Sequence, residues 1–128
     1  MTVELTLLLW STVLTVVLAV IGATGAMLQV GLPVLAGNRE NMPEITGWAG
    51  RAMRAHRNML ENLVLFAILV LAAKTIGVSN GMTVLGAKLF VGGRVAHAVL
   101  YIIGVPWLRT AAFAVSLVGL AMILLQLR

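Results

Sequence analysis

The sequence predicts an all-α integral membrane protein in which four transmembrane helices form a bundle. Hydrophobic residues make up 61% of the chain and charged residues 10%, whereas a soluble domain averages about 45–50% and 25%. Four apolar stretches are long enough for the roughly 20 residues that cross a hydrocarbon core of about 30 Å. We therefore expect one domain, residues 1–128, with spans near 5–31, 49–73, 82–105 and 107–127.

Breaker residues separate the four spans. The segment after the first span contains Gly31, Pro33 and Pro43 among polar residues, a composition that favours a loop. The second span ends before the turn-prone residues 77–81. The third ends near Gly104, and the connection to the fourth is so short that these two spans must be antiparallel neighbours.

The distribution of basic residues predicts the orientation, because Lys and Arg near span ends are retained in the cytoplasm. One side carries five arginines, and the other has chiefly Lys74, Lys88 and Arg128. We therefore expect the arginine-rich end to face the cytoplasm and both termini to lie outside. As a separate expectation, we assign the protein to a bacterial inner membrane. The arginines on the cytoplasmic side are Arg39, Arg51, Arg54, Arg57 and Arg109.

Composition excludes several classes of function. The chain has no cysteine, which removes disulfides, thiolate metal ligands and a cysteine nucleophile. The net charge of +5 is scattered along apolar spans, unlike the clustered basic surface of a nucleic-acid-binding protein. Two histidines on different spans do not form a metal motif, so we expect no metal. Four helices of this size enclose a thin interior, which favours a homo-oligomer in the lipid bilayer.

A stripe of polar residues lies in the second span. Arg54, Arg57, Asn58 and Glu61 recur at i, i+3, i+4 and i+7, so they share one helical face about 100° wide. A centrally placed charge costs a few kcal/mol in lipid, so this face must meet protein or water. His56 points away from the stripe, and its position is as consistent with a histidine near a loop or subunit contact as with a ligand.

The third span carries a matching set. Arg94, His97 and Tyr101 share one face. At about 1.5 Å per residue from the cytoplasmic ends, Glu61 and Arg94 should lie at similar depth, so the two can pair. The same depth count places the rest of the second-span stripe beside His97 and Tyr101, so the two stripes should line one pocket open to the cytoplasm.

The charges in this predicted pocket do not balance. Four arginines accompany one glutamate, which leaves a net charge of +3. A single Glu–Arg pair would more simply hold two helices together, but unpaired buried charge is costly. The excess of arginine therefore indicates an anionic ligand. The arginines are Arg54, Arg57, Arg94 and Arg109.

Two sequence motifs resemble a known family, the membrane-associated proteins in eicosanoid and glutathione metabolism (MAPEG). This superfamily includes microsomal glutathione transferases and prostaglandin E synthase. The motifs are RAHRNMLEN at residues 54–62 and GRVAHAVLY at residues 93–101. Their order and spacing match the family over nearly the whole chain. The resemblance implies a homotrimer of four-helix subunits that binds glutathione at subunit interfaces towards the cytoplasm.

The resemblance also implies roles for individual residues. Arg109 is expected to stabilise the glutathione thiolate, with Tyr101 and, more weakly, Thr110 as catalytic neighbours. The glutathione ligands would be Arg54, Arg57, Asn58, Glu61, Arg94, His97 and Tyr101. The implied activity is that of a glutathione transferase or peroxidase that directs the thiolate against lipophilic electrophiles or hydroperoxides.

One departure from the family and two alternative functions remain open. Family enzymes often carry an arginine at the end of the first helix, where this chain has Gln29, and only Arg39 could substitute. A non-catalytic lipid-binding member of the family is one alternative. A small multidrug transporter is the other, but its membrane-embedded glutamate normally sits in the first helix without arginines, whereas Glu61 lies in the second among them.

Overall fold

A computed structural model describes all 128 residues and contains five α-helices and no β-strand. Four of the helices are long and apolar enough to cross a membrane, which indicates a multi-pass integral membrane protein. Their ends differ from the predicted ones by at most three residues. The helices are α1 (Val3–Val30), α2 (Leu32–Ala36), α3 (Gly47–Ile76), α4 (Gly81–Ile103) and α5 (Pro106–Gln126).

The short helix α2 lies in the segment for which the sequence predicted only a loop. Pro33 occupies its first turn, where a missing N–H costs nothing because no intrahelical acceptor is available there. Gly31 separates α1 from α2 with a φ of 86°. The breaker residues therefore end α1 as predicted, but Pro33 also starts a new helical turn.

The four long helices pack as two antiparallel pairs. α4 packs most extensively against α5, and α1 against α3, while α3 also contacts α4. Gly77 ends α3 with a φ of 76°, and Gly104 ends α4 with a φ of 88°. Both values lie in the left-handed region, which glycine adopts without a Cβ penalty, so each helix can stop abruptly and the chain can reverse.

Polar contacts close the end of the bundle that holds both termini. Glu4, in the first turn of α1, is buried and accepts hydrogen bonds from the hydroxyls of Ser79 and Thr83 at 3.1 Å. Asn80 caps α4 and donates to the side chain of Gln126 in α5 at 3.1 Å. These contacts join α1, the α3–α4 turn and α5.

Other polar contacts close the opposite end. The side-chain amide of Gln29 pairs with the backbone of Thr46, donating to its carbonyl at 2.7 Å and accepting from its N–H at 3.0 Å. Arg51 Nε donates to the carbonyl of Ile102 at 2.9 Å, near the C-terminal end of α4, where a cation is favourable. The first turns of α3 are therefore fixed against both α1 and α4.

Aromatic stacking and close backbone approach hold the interior. The rings of Phe66 and Phe90 stack with centroids 4.1 Å apart, and both are fully buried between α3 and α4. Between α4 and α5, the backbones approach so closely that a Cβ on Gly119 would lie 2.4 Å from the carbonyl oxygen of Gly86. Such contacts between small residues are typical of helix pairs in membranes.

The packing of α5 on α4 predicts that Gly119→Ala destabilises the protein. Its Cβ would also lie 2.8 Å from the backbone nitrogen of Phe90, so the helices must separate at a cost of about 1–3 kcal/mol. Thermal unfolding followed by circular dichroism in detergent would measure the effect. Gly92→Ala is the matched control because nothing lies within 4 Å of its Cβ position. Equal melting temperatures for the two variants would contradict the described packing.

Candidate functional site

The polar stripe of α3 lies on the surface of a single chain. Arg54, Arg57 and Glu61 are exposed and Asn58 is half-buried, although all four belong to a helix of membrane-spanning length. Charged groups at this position cannot face hydrocarbon without a cost of a few kcal/mol each. The stripe therefore needs water, a ligand or another protein surface against it.

Tyr101 of α4 joins the stripe to form a cleft of about 220 Å³, which we call the polar cleft. The structure thus brings together residues that the sequence assigned to two different spans. Its lining contains two guanidinium groups, one carboxylate, one amide and one phenol. The lining residues are Arg54, Arg57, Asn58, Glu61 and Tyr101.

Arg109 reaches the edge of this cleft from α5. Its guanidinium carbon lies 4.2 Å from the centroid of the Tyr101 ring, within the range of a cation–π contact. Arg109 is in the first turns of α5, where the positive end of the helix dipole adds to its charge. Thr110 is exposed, and its hydroxyl donates to the carbonyl of Pro106 in its own helix at 3.3 Å. The structure does not direct that hydroxyl into the polar cleft.

Arg94 and His97 lie behind the polar cleft rather than in its lining. Only 1% of Arg94 is exposed, and its Nη2 donates to Asn58 Oδ1 at 2.6 Å. The same nitrogen lies 3.4 Å from His97 Nδ1. The His97 ring packs edge-on against Tyr101, with centroids 5.5 Å apart. Both residues therefore support groups that border the cleft.

The predicted pair between Glu61 and Arg94 is wrong in this structure. Arg94 Nη2 is occupied by Asn58 and His97, and its Nε and Nη1 have no partner. Glu61 is 14 residues from the start of α3, but Arg94 is only 9 residues from the end of α4. The depth count failed because α3 begins earlier and α4 ends earlier than predicted. Asn58, one turn before Glu61, consequently meets Arg94.

Comparison with known protein families identifies the chain. A family model described as the MAPEG family matches residues 3–128. The chain belongs to the MAPEG family. No curated protein matches the chain significantly. MAPEG membership associates this membrane protein with glutathione and eicosanoid metabolism, and the family contains both enzymes and non-catalytic members.

This MAPEG protein has a second cleft, of about 340 Å³, between α1 and α3; we call it the apolar cleft. His56, whose role the sequence left open, lines it together with Arg39 and Arg57. Most of the remaining lining is hydrophobic, including Leu18 and Met53. Arg57 borders both clefts. The residue at the departure from the MAPEG pattern, Gln29, is instead engaged with Thr46.

Asn62 was not among the predicted site residues, but it holds Asn58 from the next turn of α3. Asn62 is buried, and its Nδ2 donates to the backbone carbonyl of Asn58 at 2.8 Å and approaches Asn58 Oδ1 at 3.4 Å. Its spacing of four residues from Asn58 was a usable signal, because i and i+4 side chains are neighbours on a helix. Phe113 was also missed; its ring centroid lies 6.2 Å from that of His97.

Proposed function

We propose that this MAPEG protein is a glutathione-dependent transferase or peroxidase that binds glutathione in the polar cleft. The observation that carries the proposal is the arrangement of Arg54, Arg57, Asn58 and Glu61 along one cleft with Tyr101, with Arg109 at its edge. A row of exposed charges on a membrane-spanning helix needs a polar partner, and a charged peptide is one.

The polar cleft fits the functional groups of glutathione. The tripeptide has two carboxylates and one ammonium group. Arg54 and Arg57 offer guanidinium forks for the carboxylates, a geometry that favours two parallel hydrogen bonds. Glu61 is the only acidic residue in the lining, so it is the partner for the ammonium group.

Arg109 supplies the charge that activates the site. When bound, glutathione provides a thiol, and its ionised form is the nucleophile. The Arg109 guanidinium and the nearby N-terminal end of α5 favour negative charge at the edge of the cleft. Tyr101 holds this guanidinium by stacking at 4.2 Å. The chain contributes no thiol of its own because it has no cysteine.

The exposed stripe also supports a homotrimer. Arg54, Arg57 and Glu61 are exposed in one chain, and lipid is an unfavourable neighbour for them. A second copy packed against this face would exclude lipid and complete the wall of the polar cleft. A closed cyclic assembly of three subunits would give every copy the same cover.

The second substrate in this proposal is a lipophilic electrophile or hydroperoxide that reaches the site from the bilayer. The apolar cleft shares Arg57 with the polar cleft, so an apolar compound held there would lie beside a side chain that also binds the peptide. The excess of arginines at this end supports a site that faces the cytoplasm, with both termini outside.

A non-catalytic lipid-binding role is the second candidate, and the apolar cleft is the observation that favours it. A cleft of about 340 Å³ with a largely hydrophobic lining is within the usual size range of small-molecule sites. A pure lipid binder would have no need of Arg109 on Tyr101 or of the charges of the polar cleft. Turnover of a chromogenic electrophile with glutathione would separate the two roles.

The proposed assembly predicts that the purified protein contains three copies. Native mass spectrometry after release from detergent micelles would measure the mass of the complex. Arg54→Glu should weaken the assembly, because it reverses a charge on the face that meets the next copy, whereas Lys74→Glu at the opposite end should leave it intact. A monomer at micromolar concentration in mild detergent would reject the trimer.

The proposed ligand predicts that Glu61→Gln weakens glutathione binding by about 1–3 kcal/mol. The variant loses a charge-assisted hydrogen bond to the ammonium group and leaves the arginines of the cleft without their acidic neighbour. Calorimetric titration in detergent would measure the dissociation constant. Glu44→Gln is the control, because Glu44 is exposed in the segment before α3 and lines neither cleft. Equal affinity for Glu61→Gln and wild type would remove Glu61 from the site.

The proposed catalytic role predicts that Arg109→Ala lowers turnover by about 10²–10³, the usual effect of removing one donor aimed at developing charge. Glutathione affinity should fall much less, because the residues of α3 still hold the peptide. Ultraviolet difference absorbance of bound glutathione would report the thiolate, which should decrease in this variant at neutral pH. Arg128→Ala, at the other end of the bundle, is the control. Unchanged thiolate absorbance and turnover would make Arg109 an interface residue.

A further inference from the structure

We infer that Arg94 is a positioning residue that fixes the hydrogen-bonding direction of Asn58 and His97, rather than a direct ligand of glutathione. The part of this inference that concerns glutathione binding rests on the proposed function. Its geometric basis is independent of any ligand. Arg94 has the largest fully buried side chain in the protein, and it lies between α3 and α4, behind the polar cleft.

The guanidinium of Arg94 determines how the Asn58 amide is oriented. A guanidinium can only donate hydrogen bonds, so the amide atom 2.6 Å from Arg94 Nη2 must be the oxygen. Asn62 Nδ2 approaches the same oxygen from the next turn of α3. Two donors therefore hold Oδ1 towards the protein interior. The amide NH₂ group of Asn58 is left for the polar cleft, which Asn58 lines.

Arg94 also determines which nitrogen of His97 carries the proton. Its Nδ1 lies 3.4 Å from Arg94 Nη2, and two donors cannot bond to each other. Nδ1 must therefore accept, which places the ring proton on Nε2. The side chain of Arg94 thus determines both the amide orientation of Asn58 and the tautomer of His97.

The consequence is a fixed polarity in the polar cleft. With its oxygen held inwards, Asn58 offers the ligand a donor, so its partner in glutathione must be an acceptor, such as a carboxylate or amide carbonyl oxygen. The carboxylate of Glu61, one turn further along α3, offers only acceptors when ionised. The two residues therefore distinguish the two ends of a zwitterionic peptide and fix the direction in which it binds.

The energetics of Arg94 favour this role over a purely structural one. Its Nε and Nη1 are buried without a partner, and buried unsatisfied donors destabilise a fold. The recorded partners of Arg94 are the neutral side chains of Asn58 and His97, so Arg94→Met removes the desolvation cost of a buried charge that has no carboxylate partner. Arg94→Met should therefore keep or increase the melting temperature, while a residue that merely held α3 to α4 would lower it on removal.

The first test reads the His97 tautomer directly in protein labelled with ¹⁵N-histidine. The chain has two histidines, His56 and His97, so His56→Gln assigns the spectrum. In wild type, without any ligand, we expect Nδ1 of His97 to be unprotonated and Nε2 to carry the proton. In Arg94→Met, the two tautomers should become mixed. A wild-type His97 protonated on Nδ1, or an unchanged tautomer in Arg94→Met, would overturn the inference.

The second test compares glutathione affinity in Arg94→Met and Asn58→Asp by calorimetry. Asn58→Asp keeps an acceptor for Arg94 but presents an acceptor to the cleft in place of a donor. We expect affinity to fall about 10- to 100-fold in each variant, the range for losing one hydrogen bond and leaving a group unsatisfied. Asn58→Asp should retain the wild-type His97 tautomer. Wild-type affinity in Asn58→Asp would contradict the fixed orientation of the amide.

The two tests separate failure of this inference from failure of the proposed function. If wild type does not bind glutathione, the proposed function fails, but the tautomer of His97 in the ligand-free protein still decides the role of Arg94. If wild type binds glutathione and the tautomer is mixed, the proposed function stands and the positioning role is rejected.

Discussion

The hydrogen bond between Arg94 and Asn58 is the contact on which the geometry of the site depends. The hydrocarbon core of a membrane contains no water to form hydrogen bonds. A donor buried in a membrane-spanning bundle must therefore find a protein acceptor or remain unsatisfied. Here a fully buried arginine on α4 meets an amide on α3 at 2.6 Å. The bond fixes the direction of the Asn58 amide, which lines the polar cleft together with Tyr101.

The close packing of α4 and α5 has a functional consequence at the same end of the bundle. Gly104 turns the chain within two residues of α5, and Pro106 starts the next helix. This tight connection brings Arg109 over the ring of Tyr101. A longer connection would leave the guanidinium free to move away from the polar cleft. The glycine contacts that bring α4 and α5 together therefore also determine the position of the proposed activating charge.

The sequence was sufficient for the spans and for the polar face of α3, because hydropathy and the period of 3.6 residues depend only on local order. It was insufficient for depth. α3 starts two residues earlier, and α4 ends two residues earlier, than the sequence predicted. Because each residue changes the depth of a side chain by about 1.5 Å, Arg94 lies beside Asn58 instead of Glu61. The position of Thr110 illustrates a second limit. Its hydroxyl bonds to its own helix at Pro106, a local competition that a residue-by-residue resemblance does not reveal.

The two clefts meet at Arg57, and this position distinguishes it from Arg54 on the same helix. Arg54 borders only the polar cleft, whereas Arg57 also borders the apolar cleft beside His56. In the proposed reaction, a charged peptide and a lipophilic compound must approach one another although they favour opposite solvents. A side chain with an apolar stem and a charged head can contact both. Arg57 therefore lies at the boundary between the two clefts that these substrates would occupy.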